Sequence, residues 1–173
     1  DLMVVLAALF MASCIRTVGP EERTLRDGLY LSSSTGELLD GKFKQVTKPD
    51  PEHPFDREHV SLLEYDDGVP VGSWSYTFGG DLIHSGEYLD EPEVKDSMKS
   101  ITGCARIDLD LWKEGWYPFL SVRLIKPLRY DSVALESLEQ VSAERLRAKY
   151  PYSSFDVTLV GDTLEEVYSK DYE

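Results

Sequence analysis

The chain predicts a mainly β, α+β fold: an antiparallel sheet of hairpins, then a β-β-α-β unit with one helix packed on the sheet. Three observations predict it. Glycine recurs just ahead of an aromatic residue, in Gly28-Leu29-Tyr30, Gly41-Lys42-Phe43, Gly72-Ser73-Trp74, Gly86-Glu87-Tyr88 and Gly115-Trp116-Tyr117. Between these points apolar and polar residues alternate: Trp74, Tyr76 and Phe78 stand against Ser73, Ser75 and Thr77, the period of half-buried antiparallel strands. After Pro127 the period changes to that of a helix.

The totals bound the rest. At 173 residues the chain fits one domain, or one domain with a small appendage, and a folded region of roughly 150 residues buries enough surface to need no metal or disulfide. Its 18 basic and 32 acidic residues leave a net charge of -14. Such a chain repels nucleic-acid phosphates and anionic lipid, so no nucleic-acid partner is expected. Ten Tyr, six Phe and three Trp are far richer in aromatics than a disordered acidic chain.

Taken in order, residues 2–12 are an uncharged apolar run. Crossing a bilayer core of about 30 Å takes about 20 helical residues, so the run suits a signal-peptide core rather than a membrane span. It ends in Met11-Ala12-Ser13-Cys14, which resembles the lipobox of bacterial lipoproteins, with Met11 where Leu or Val is usual. The resemblance implies a signal peptide over 1–13 and a mature chain held at the membrane by acyl groups on Cys14, in the bacterial cell envelope: an outer-membrane or surface lipoprotein, with a periplasmic location as the alternative. Residues 14–27, polar and broken by Gly19-Pro20, read as a tether.

Hairpins fill 28–103. Asp67-Gly68 and Gly79-Gly80 supply the positive φ that tight turns require, as do Thr35-Gly36 and Asp40-Gly41. A glycine beside an aromatic also lets the ring of a neighbouring hairpin lie close to the backbone. The run from Asp67 through Gly72, Trp74, Tyr76, Gly79 and Gly86 to Tyr88 resembles the bacterial variant of the MORN repeat, and Gly36 to Phe43 matches it more loosely. That resemblance implies stacked hairpins that bind or scaffold, and brings no catalytic residues. A proline-rich loop, 47–59, interrupts the repeat and carries His53 and His59. Residues 90–103 read as a connector with one helical turn after Pro92.

The β-β-α-β unit occupies 104–173 and is expected to extend the same sheet. Ile107, Leu109 and Leu111 share one face of a strand, leaving Asp108 and Asp110 on the other as solvated polar residues. Residues 119–125 return. Asp131 or Ser132 caps a helix carrying Ala134, Leu135, Leu138, Val141 and Leu146 on one stripe. A last strand over 155–160 precedes a short tail.

The residues carry no signature of a known reaction centre. Three weaker groupings remain. Cys104 with His84 is a conceivable nucleophile and base, and the His53/His59 loop holds plausible metal ligands. Trp112, Trp116 and Tyr117 cluster at one hairpin as a possible recognition patch. No catalytic residue, metal or cofactor is expected. The reading is a lipid-anchored binding or scaffold protein with an unknown protein or glycan partner in the envelope. The alternatives are an antitoxin-like or inhibitor protein and, last, a hydrolase or metal-dependent enzyme.

Overall fold

A computed structural model describes residues 15–18, 22–53, 55–161 and 164–172. The signal peptide expected over 1–13 and the acylated Cys14 lie outside the described residues. Eleven strands run in chain order as β1 (Arg16–Val18), β2 (Arg23–Arg26), β3 (Leu29–Ser32), β4 (Gly41–Thr47), β5 (His59–Asp66), β6 (Val69–Phe78), β7 (Asp81–Tyr88), β8 (Arg106–Glu114), β9 (Tyr117–Ile125), β10 (Ser154–Val160) and β11 (Leu164–Asp171). Among the described residues two helices, α1 (Pro92–Thr102) and α2 (Ser132–Arg145), follow β7 and β9. Nine strands form one mixed sheet in the order β1-β4-β5-β6-β7-β8-β9-β10-β11, and β2 pairs with β3 separately. The fold is mainly β, as the alternation predicts, and the C-terminal strands continue the hairpin sheet.

From β4 to β9 the sheet is an antiparallel meander. Three of its turns have two residues, and in two of them both residues are left-handed: Asp67 and Gly68 have φ of 47° and 76°, and Gly79 and Gly80 have 59° and 90°, the backbone that matches strand twist in tight hairpins. Chain direction is kept only where a crossover permits it. The connection through α2 lays β10 parallel to β9, and β1 runs parallel to β4. Edge strand β11 carries Glu165, Glu166, Lys170 and Asp171 and a register shift against β10, features that discourage further strand addition.

Strand alternation then decides what lies on each face. Ile107 and Leu109 of β8, Leu120, Val122 and Leu124 of β9, and Phe155 and Val157 of β10 pack with Val94 and Met98 of α1 and Leu135 and Leu138 of α2. The helix layer therefore covers β8–β10. On the opposite face the β2–β3 hairpin crosses one end of the sheet. Its turn residue Gly28 sits against Ile125, where a Cβ would come within 2.6 Å of the side chain. Its Tyr30 packs with Leu39, Phe43, Leu63 and Tyr65 in a second, smaller cluster.

Three segments differ from expectation. The stretch read as a tether contributes β1 and β2; strands of three and four residues are too short for a period to show. The connector after Asp90 is a helix of three turns, with Pro92 at its first position and Gly103 closing it at φ 65°, its N–H on Lys99 O at 2.7 Å. The short tail is the eight-residue strand β11. Helix α2 begins as predicted: Asp131 caps it, its carboxylate accepting from the Ala134 N–H at 2.9 Å.

Candidate functional site

The helix-free face of the sheet, between the β2–β3 hairpin and β11, holds most of the buried polar chemistry. It begins at a glycine. A Cβ on Gly86 in β7 would lie 2.6 Å from Trp74 Nε1 and 2.7 Å from Trp112 Cβ. With hydrogen there instead, the Trp74 indole of β6 crosses β7 and donates from Nε1 to Asp110 Oδ1 of β8 at 2.8 Å. Arg123 of β9 donates to the other oxygen, Nη2 to Oδ2 at 2.9 Å, and to Tyr88 OH from Nη1 at 2.8 Å. Four neighbouring strands are thus tied by side chains as well as by their ladder. Two residues along β8, Arg106 Nε and Nη2 donate to both oxygens of Asp108, and Nη2 also donates to Gly28 O. That second pair ties the β2–β3 hairpin to the face.

Asp108 and Asp110, expected to be solvated, are 6% and 0% exposed. The alternation that put them opposite Ile107 and Leu109 is correct, but Trp74, Arg106, Arg123 and the β2–β3 hairpin cover that side. Burial pushes the Asp110 carboxyl above the ordinary carboxylate range, against the pull of Arg123 and the Trp74 N–H. Burial works against the Arg123 charge too, but Tyr88 and Asp110 beside it hold the guanidinium above its ordinary value. Burial also raises the Tyr88 hydroxyl and pushes Tyr65 up to about 12. All these hydroxyls stay protonated at neutral pH.

Over this floor lie two adjoining hollows of about 460 Å³ and about 400 Å³, sharing Trp74, His84, Arg123 and Leu164 as lining. The first extends towards Arg23, Tyr30, Tyr65 and Tyr76, the second towards Trp112, Asp156 and Glu166. Together they form a groove of small-ligand size. In β4, β5, β6 and β7 the directly opposed residues Gln45, Ser61, Tyr76 and His84 make one cross-strand row on this face. Two buried polar atoms of that row, Gln45 Oε1 and His84 Nδ1, have no hydrogen-bond partner among the described residues.

The sequence-predicted residues fall differently. Cys104 is buried in the helix-side cluster, while His84 lines the groove on the other face, so the two are not brought together. Burial raises the Cys104 thiol, the opposite of an activated nucleophile. His53 pairs with Asp50 at 2.8 Å, whereas His59 pairs with Asp56 at 3.0 Å and with the Tyr76 hydroxyl. The two imidazoles are engaged in separate local pairs. Among the described residues no three His, Cys, Asp or Glu side chains converge as metal ligands would. At the β8–β9 hairpin, Trp112 stacks on Phe119 with centroids 4.2 Å apart and donates to Ser121 Oγ at 2.9 Å. Tyr117 meets the same Phe119 at 5.1 Å, and Trp116 at the turn is wholly exposed. Trp112 therefore belongs to the groove lining, with Tyr117 beyond it and Trp116 outermost.

Arg23, Tyr88, Arg123 and Asp156 are site residues that the sequence pattern does not single out, and Asp110 is one that it places in solvent. A signal existed: single charges inside central apolar strands, as in Phe119-Leu120-Ser121-Val122-Arg123-Leu124-Ile125, are costly unless paired across the sheet. The chain matches no family model, no curated protein and no solved structure.

Proposed function

We propose that the chain is a small-molecule-binding module of the bacterial cell envelope, held at the membrane through acyl groups on Cys14, and that its ligand lies in the groove on the helix-free face. The observation that carries this reading is the groove's prepaid floor: Asp110, Arg123, Trp74 and Tyr88 already satisfy one another. Such a network holds the aromatic lining in one arrangement before any ligand arrives, which lowers the ordering cost of binding. It also speaks for binding over catalysis. Both oxygens of Asp110 are engaged, and Cys104 is on the far face from His84. The Met11-Ala12-Ser13-Cys14 stretch supports the anchor, and the MORN-like spacing of Gly72, Trp74, Gly79 and Gly86 accords with a binding sheet.

Ser61→Trp tests the groove by filling it from β5. Full-length native and variant chains, purified in parallel and denatured, are compared by mass spectrometry of what they release. A small molecule released by the native chain and missing from the variant is the expected outcome; identical profiles overturn the reading. Cys14→Ser tests the anchor separately. The variant is expected to leave the membrane fraction, and unchanged membrane association refutes acyl anchoring.

A further inference from the structure

The two ends of the groove differ in charge. The larger hollow is lined by Arg23, Arg123 and His84 and by the hydroxyls of four tyrosines, with no carboxylate among the described residues of its lining. The adjoining hollow carries Asp110, Asp156 and Glu166. On a chain of net charge -14, a carboxylate-free wall with two guanidinium groups is a local inversion of the surrounding field.

The two arginines are not equivalent. Asp110 neutralises Arg123 at 2.9 Å. Arg23 spends one donor on Tyr65 OH at 2.8 Å and lies 5.5 Å from the Tyr30 ring centre, and among the described residues it has no carboxylate within ion-pair distance. A guanidinium has five N–H donors in a rigid fork suited to a carboxylate, so donors remain at the mouth of the hollow. Trp74, Leu63, Pro70 and Leu164 offer apolar surface beside it. At the other end Asp156 accepts only from hydroxyls, Ser169 Oγ at 2.9 Å and Ser154 Oγ at 3.4 Å. A second negative charge placed there meets Asp156 and Glu166, and among the described lining residues its one guanidinium is the already paired Arg123.

On the reading that the groove binds a small molecule, we infer that its ligand is a monoanion with an aromatic or apolar body, seated with its carboxylate-like group at Arg23 and its uncharged end towards Asp156.

Four probes of one shape test this by calorimetry on the full-length chain: 2-naphthoate, 2-naphthylmethanol, 2-naphthylmethylamine and naphthalene-2,6-dicarboxylate. Naphthoate is expected to bind roughly tenfold or more tighter than the other three, the worth of one charge-assisted hydrogen-bonded contact. Arg23→Met is expected to bring naphthoate down to the affinity of the alcohol and leave the alcohol unchanged, while Arg23→Lys restores part of the difference. Equal binding of all four probes, preference for the amine or the dicarboxylate, or an Arg23→Met chain that keeps its naphthoate preference overturns the charge assignment and leaves the groove reading standing. Binding that survives Ser61→Trp, or no binding of any probe, overturns the groove reading itself. Thermal unfolding of each variant separates lost binding from lost fold.

Discussion

The two halves of the nine-stranded sheet use the same alternating strands to opposite ends. In β8–β10 one face disappears under α1 and α2, and fifteen buried residues form one core there. In β4–β6 the corresponding face keeps Lys42, Ser73 and a partly exposed Leu62, and three buried residues, Leu39, Phe43 and Tyr65, form the small cluster on the other side. Apolar burial is the dominant favourable term in folding, roughly 25 cal/mol per Å², so the C-terminal half holds the molecule together. The N-terminal half is joined to it by the β7–β8 ladder and by the Trp74–Asp110–Arg123 network. A region with few buried apolar contacts opens more easily. The groove lies over the seam, where a stable half meets a pliable one.

Cavities cut into each half separate the two most sharply. Phe155→Ala, at a fully buried position of β10, is expected to cost about 3–5 kcal/mol and to remove hydrogen-exchange protection from every strand. Phe43→Ala is expected to cost less and to strip protection from β1 to β4 while β8–β10 keep theirs. If Phe43→Ala lowers protection evenly across the sheet, the halves are one cooperative unit and the contrast fails.

The seam itself comes next. Asp110→Ala leaves Arg123 buried with Tyr88 as its remaining partner, and loss of one member of a buried pair costs about 3 kcal/mol or more. Denaturant unfolding of Asp110→Ala, Arg123→Met and the double variant measures it. The double variant is expected to be more stable than Asp110→Ala alone, because no uncompensated charge is left. A double variant as unstable as the sum of the singles would mean that Asp110 and Arg123 do not stabilise each other beneath the seam. Gly86→Ala is milder: its methyl group meets Trp74 and Trp112, and overpacking of that kind costs about 1–3 kcal/mol. Its diagnostic is a change in tryptophan emission before unfolding, since the Trp74 ring must leave Asp110.

What the sequence disclosed divides along the same seam. Helix α2 was legible because its cap and apolar stripe are local, Asp131 to Leu146. The faces of β8 and β9 were legible because alternation alone assigns Ile107 and Leu109 to one side and Asp108 and Asp110 to the other. What covers the second side was not, since Gly28 lies 78 residues from Arg106 and Trp74 lies 36 from Asp110. Patterning says which residues share a face, never which distant segment lands on it. Gly86 is the intermediate case: the expectation that a glycine admits a neighbouring ring is met by Trp74, but the ring's partner required the fold. Helix α1 had readable marks, Pro92, Gly103 and the spacing of Val94, Met98 and Thr102, hidden in a stretch whose polar composition looks like a connector.

The smallest expected effect concerns Asp156, which lines the groove from the well-packed half. Burial raises its carboxyl, with Ser169 and Ser154 only partly offsetting it. A carboxyl whose folded value lies above its unfolded one binds its proton more readily in the native state. Its favourable contribution is therefore complete below the ordinary carboxylate range and is lost as pH rises through the raised value. Asp156→Asn removes the charge, and both serine hydroxyls, which donate to Oδ1, can still donate to the amide oxygen. The variant is expected to be at least as stable as the native chain at pH 7 and to lose that advantage as the pH falls through the raised value, the loss being complete below the ordinary carboxylate range. Unfolding midpoints measured from pH 3 to pH 8 give the answer. A variant less stable than the native chain at pH 7 would mean that the ionised carboxylate is held by the fold, and the acidic end of the groove would then be a structural feature of β10 and β11 rather than a surface kept for a ligand.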